Sequence, residues 1–141
     1  MAFKTHFLSI QIDTLFAGLP FCDLVSASAL VGTCSHYLAA HPEMRRLLDE
    51  GHPIDGASHP FVDPHYLNPA ELAATIRQLK HIRETDFKDD EWSQKNVDGF
   101  IAACSACMQS NTAMIVALND RMSVDENGTP IHETTVGGIS M

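Results

Sequence analysis

Four histidines, His41, His52, His59 and His65, stand between positions 41 and 65, interleaved with Asp49, Asp55 and Asp63. Imidazole and carboxylate are ordinary ligands for zinc or iron, so this stretch is the first candidate for a metal-dependent hydrolase. The spacing is irregular and no His-x-x-x-His pair sits on a predicted helix. The plainer reading is of turn residues, since His41, His52 and His59 each precede a proline.

Cys104-Ser105-Ala106-Cys107 is a second candidate. A redox Cys-x-x-Cys works at a helix N-terminus, where the dipole lowers a thiol pKa. Here the pair falls deep inside a predicted helix, with both sulfurs on its core face, so packing is the expected role. A third arrangement combines the two. Zinc nucleobase deaminases use His-x-Glu followed by Pro-Cys-x-x-Cys. This chain offers His41-Pro42-Glu43, then Cys104 and Cys107, which would make His41 and both cysteines the zinc ligands and Glu43 the proton shuttle. Ala103 stands where that motif has proline, and the second half lies mid-helix. Ser/His/Asp or Cys/His triads lack any local signature such as Gly-x-Ser-x-Gly, and no phosphate-binding glycine loop is present. Asp125-Glu126-Asn127-Gly128 lacks the spacing and the closing Glu of a calcium loop and reads as a turn.

The remaining candidate is electrostatic. Asp86, Asp89, Asp90 and Glu91 form an acidic run at a predicted helix start, where the helix dipole favours negative charge. The same run would suit a partner with a basic surface. The whole chain leans that way: nine Lys and Arg against eighteen Asp and Glu give a formal charge of −9 over 141 residues. That balance argues against non-specific nucleic-acid binding and against an anionic membrane surface. No segment reaches membrane-spanning length, and Gln11 and Asp13 interrupt any signal-peptide core near the N-terminus. The expectation is a cytoplasmic protein whose four cysteines are reduced.

These residues need elements to position them. Leu8, Ile10 and Ile12 alternate at the end of a predicted strand over 3–12, and Asp13 is placed to cap a short turn over 14–17. Leu24, Ala27, Val31, Cys34 and Leu38 recur at steps of three or four, predicting a helix over 24–39. Pro42 opens a brief helix closed by Gly51. Residues 52–68 hold three prolines and no periodicity and read as a long loop. The strongest local signal is the helix entry Leu67-Asn68-Pro69-Ala70-Glu71-Leu72. Asn68 is suited to the N-cap, Pro69 to the first position, Glu71 to a capping box, and Leu67 with Leu72 to a hydrophobic staple. That helix runs to about 83, a second spans about 89–110, and 113–118 reads as a buried strand. Residues 1–120 are expected to form a single compact α+β domain, a small sheet with helices packed on it, and 121–141 a polar hairpin or tail around Asn127-Gly128.

Two segments resemble the YfbM-like family of small bacterial proteins. Gly51-His52-Pro53-Ile54-Asp55-Gly56 is similar to the family's Gly-x-Pro-Ile-Gly turn. Pro64-His65-Tyr66-Leu67-Asn68-Pro69-Ala70-Glu71-Leu72 is similar to its Pro-x-Tyr-Leu-(Ser/Thr)-Pro-Glu-Glu-Val helix entry. Leu79, Phe87 to Asp89 and the segment 111–119 follow its later pattern. The Trp-containing helix before the turn and the Tyr-Pro segment after the acidic connector are missing. The resemblance covers about half the chain and implies an α+β bacterial protein without assigning catalytic residues. Charge and the lack of a catalytic signature favour a small acidic binding protein, inhibitor-like or immunity-like. The alternative is the zinc enzyme sketched above, and a homo-oligomer is a third arrangement the composition permits.

Overall fold

A computed structural model describes residues 4–56 and 61–119. The fold is α+β, as expected: a five-stranded antiparallel sheet in the order β2-β1-β5-β4-β3, with helices on both faces. The strands are β1 (Lys4–Ile10), β2 (Ala29–Ser35), β3 (His52–Pro53), β4 (Phe61–Leu67) and β5 (Ala113–Asn119). The helices are α1 (Ile12–Leu15), α2 (Phe21–Ala27), α3 (Pro42–Leu48), α4 (Pro69–Glu84) and α5 (Glu91–Ser110), with a 3₁₀ turn at His36–Ala40.

β5 is central, paired along its length with both β1 and β4. A strand flanked on both edges and covered on both faces must be apolar throughout. Its run Ala113, Met114, Ile115, Val116 and Ala117 is accordingly buried. One face of the sheet packs Phe7, Met114, Val116 and Leu67 against α3, α4 and α5 through Leu47, Leu72, Leu79, Val97 and Phe100. The other packs Leu8, Ile10, Ile115 and Phe61 against Leu15, Phe21, Leu24 and Val25 of α1 and α2.

α4 begins as its sequence dictates. Glu71 Oε1 accepts the Asn68 N–H at 2.8 Å, and the capping box closes with Pro69 in the first turn. α5 ends at Asn111, whose left-handed conformation (φ 54°) terminates the helix and turns the chain into β5.

Three expectations fail. The predicted helix over 24–39 is instead α2, then β2, then the 3₁₀ turn. Its apolar steps mimic a helical stripe, but the β-branched Val31 and Thr33 fit a strand, and pairing with β1 decides the outcome. Residues 52–68 contain β3 and β4 rather than loop alone. Pro64 misleads there: it occupies a β-bulge, where a strand tolerates proline. The first turn begins at Ile12, one residue before Asp13, with Gln11 at its N-cap. The expected C-terminal hairpin or tail at 121–141 lies outside the described residues.

Candidate functional site

The bulge in β4 helps to build an enclosed cleft. Val62 pairs with Leu118 and His65 with Val116, so three steps on β4 oppose two on β5. Simple alternation would send Val62 and His65 to opposite faces of the sheet. The extra residue returns His65 to the face of Val62, beneath α3. Asp63 carries the distortion in a left-handed conformation (φ 47°), which Asp tolerates better than most residues.

A cleft of about 300 Å³ opens at this end of the sheet. Val116 and Leu118 of β5 lie between Thr5 of β1 on one side and Val62, Asp63 and His65 of β4 on the other. Arg45, Leu48 and Asp49 of α3 complete the wall, with His36 beside Thr5. Thr5 Oγ1 and His36 Nδ1 are 3.4 Å apart. A second recess, shaped by Gly51, Pro53, Ile54 and Asp55, shares Asp49, Asp63 and His65 with the first.

The His65 ring is locked in place. Its Nδ1–H donates to the Asp63 carbonyl at 3.4 Å, and its buried Nε2 makes no hydrogen bond. Gly51 permits the packing: a Cβ there would stand 2.9 Å from His65 Cδ2 and 2.7 Å from the Tyr66 carbonyl oxygen. Burial pushes the His65 pKa below 6.5. That effect outweighs the Asp63 carbonyl, the Asp49 charge and the Leu48 carbonyl, all of which favour the proton. The ring is therefore neutral at pH 7.

The other histidines lie elsewhere. His41 is the N-cap of α3: its Nδ1 accepts the Met44 N–H at 3.4 Å, its Nε2–H donates to Asp86 Oδ2 at 2.8 Å, and its ring meets Phe87 edge-on. His52 stacks on Tyr66 and donates from Nε2 to the Glu71 carboxylate at 3.0 Å. His59 lies outside the described residues. Among the described residues, no three His, Cys, Asp or Glu side chains converge to hold a metal ion. The residues of the deaminase arrangement are not brought together among the described residues. His41 uses both ring nitrogens on the protein surface, while Cys104 and Cys107 are wholly buried on the core face of α5. Glu43, cast there as proton shuttle, is an exposed partner of Arg46 at 3.1 Å.

No family model, curated protein or solved structure matches the chain.

The cysteine pair is core, as its helical position implies. Burial raises the Cys104 thiol to about 12, with the neighbouring Cys107 adding to the rise. Burial also raises Cys107, against hydrogen bonds with Thr112 and Ser9. Neither sits at a helix start, so nothing there generates a thiolate.

The acidic run divides by role. Asp90 is the N-cap of α5, accepting the Ser93 N–H at 3.0 Å and the Ser93 hydroxyl at 2.7 Å. Those bonds hold its pKa below the usual value. Asp86 is the His41 partner. Asp89 and Glu91 are exposed on either side of the cap. Trp92 follows at once, and 51% of its surface is exposed. Asn96 ties this entry to the end of β2: its Oδ1 accepts the Ser35 N–H at 2.8 Å and its amide donates to the Trp92 carbonyl. Tyr37, also half-exposed, lies two residues past Ser35. The acidic residues here are legible in the sequence, but Trp92 at helical spacing from Asn96 and Val97 carries no local mark of exposure. Nor does any local motif mark Arg45, His36 and Thr5 in the cleft.

Proposed function

We propose that this protein acts by binding another protein, one with a basic surface, through the entry of α5. The observation that carries this reading is Trp92, half-exposed on the first turn of α5 directly after the Asp90 cap and Glu91. A large aromatic is costly to leave in water. Trp is also the residue most enriched among those that dominate binding energy at interfaces. Flanking carboxylates would steer a cationic partner and set its orientation. An inhibitor-like or immunity-like role fits a small acidic domain that meets its partner this way. The metal-hydrolase alternative has no comparable support among the described residues, because its ligands do not converge.

The test is capture of a partner at low salt by the wild-type chain and by three variants. Trp92→Ala and the double reversal Asp89→Lys/Glu91→Lys are expected to weaken capture at least about tenfold, the scale of an interface hot spot. Asp90 is left alone, because losing its cap would cost about 1 kcal/mol of stability. His52→Ala, remote from this surface, is expected to capture normally. Equal capture by all variants, or none by the wild type, rejects the proposal.

A further inference from the structure

The cleft between α3 and the bulged strand holds charges of both signs that do not neutralise one another. Arg45 of α3 and Asp49, which caps the end of that helix, stand four residues apart, and Asp63 lines the same cleft from β4, yet no ion pair joins any two of the three. The neighbouring Arg46 behaves differently, pairing with both Glu43 and Glu50. The cleft floor is apolar, formed by Val116 and Leu118. Its width from β1 to β4 is two inter-strand spacings, about 10 Å.

We propose that this cleft binds a small zwitterion of the α-amino acid class, its ammonium held by Asp49 and Asp63 and its carboxylate by Arg45. The volume of about 300 Å³ is at the small end of ligand pockets and suits a molecule of that size. A simple anion would meet two carboxylates, and a simple cation would leave Arg45 without a counter-charge. A metal ion lacks three converging ligands among the described residues. A zwitterion answers both walls, with its side chain over Val116 and Leu118. Neutral His65 adds no positive charge to oppose the ammonium. The left-handed backbone at Asp63 is a local strain of the kind that persists where a side chain must be aimed, and the bulge supplies the aim.

The experiment is calorimetric titration of the full chain with each protein amino acid, followed by amide chemical shifts. At least one amino acid is expected to bind and to move the Thr5, His65 and Val116 amides. Propylamine, propionate and the N-acetylated amino acid should each bind at least about tenfold more weakly, since each lacks one charge-assisted contact. Asp63→Asn and Arg45→Gln should show losses of the same size. Asn adopts the left-handed conformation readily, so Asp63→Asn keeps the bulge, and an unchanged amide spectrum elsewhere verifies this. Asp49→Asn provides an independent removal of charge from α3. The proposal is overturned if no amino acid binds at about 10 mM. It is equally overturned if propylamine binds as tightly as the amino acid, or if the charge-removing variants bind unchanged.

Discussion

A Cβ at Gly99 would lie 2.8 Å from the Thr33 carbonyl oxygen. The glycine that weakens α5 as an isolated helix is therefore what lets α5 press against β2. Gly99→Ala gains up to about 1 kcal/mol of helix propensity. It must also push the helix off backbone that cannot yield, an overpacking cost of about 1–3 kcal/mol. The expected outcome is net destabilisation, read as a lower urea midpoint with an unchanged slope. A midpoint at or above the wild-type value would show that the helix shifts freely. The sequence marks Gly99 only as a helix defect, because the partner that explains it is sixty-six positions away in the chain.

At the scale of elements, α5 does two jobs. It fills the core through Val97, Phe100, Cys104 and Cys107, and it ties down the end of the edge strand β2, where Asn96 takes the Ser35 N–H. The core face of α5 fixes the chemistry of its thiols. Cys34 and Cys104 are raised to about 12 by burial, whereas Cys22 is exposed. Disulfide-exchange labelling at pH 8 should modify Cys22 rapidly in the folded protein, and all four cysteines only after unfolding. Fast labelling of Cys104 or Cys107 in the native state would reopen a redox role. The helices α4 and α5 were legible because caps and apolar stripes are local signals that tertiary packing reinforces. β2 and β4 were not. The stripe from Leu24 to Leu38 satisfies a helix as well as it does the strand that formed, and Pro64 hides a strand whose bulge appears only once β5 is beside it.

For the molecule as a whole, acid stability reports on the sheet. His6 of β1 is buried edge-on to Phe61, its Nδ1 without a hydrogen-bond partner. Burial, then the charge of Lys4, lowers its pKa from 6.5 to about 4. The unfolded chain therefore binds a proton between those pH values that the folded chain refuses. Stability is full above pH 6.5 and falls as the pH drops toward 4, by on the order of 3 kcal/mol at about 1.4 kcal/mol per unit. His65, also lowered by burial, contributes with the same sign. Urea unfolding across this range should give a shallower pH dependence for His6→Leu than for the wild type. Parallel curves would mean that His6 is solvated in the native state.

The sequence by itself determined the α+β class, the acidic charge, the capped entry of α4, the long α5 with its inward-facing thiols and the buried strand β5. Each is written in residues close together in the chain, through capping, periodicity or composition. Only the tertiary structure decided which histidines meet which carboxylates, that His41 joins Asp86 while His65 turns beneath α3, and that Arg45, Asp49 and Asp63 share one cleft. Those choices depend on strand register and on a single bulged residue. A shift of one position sends a side chain through the sheet, and no local pattern records it.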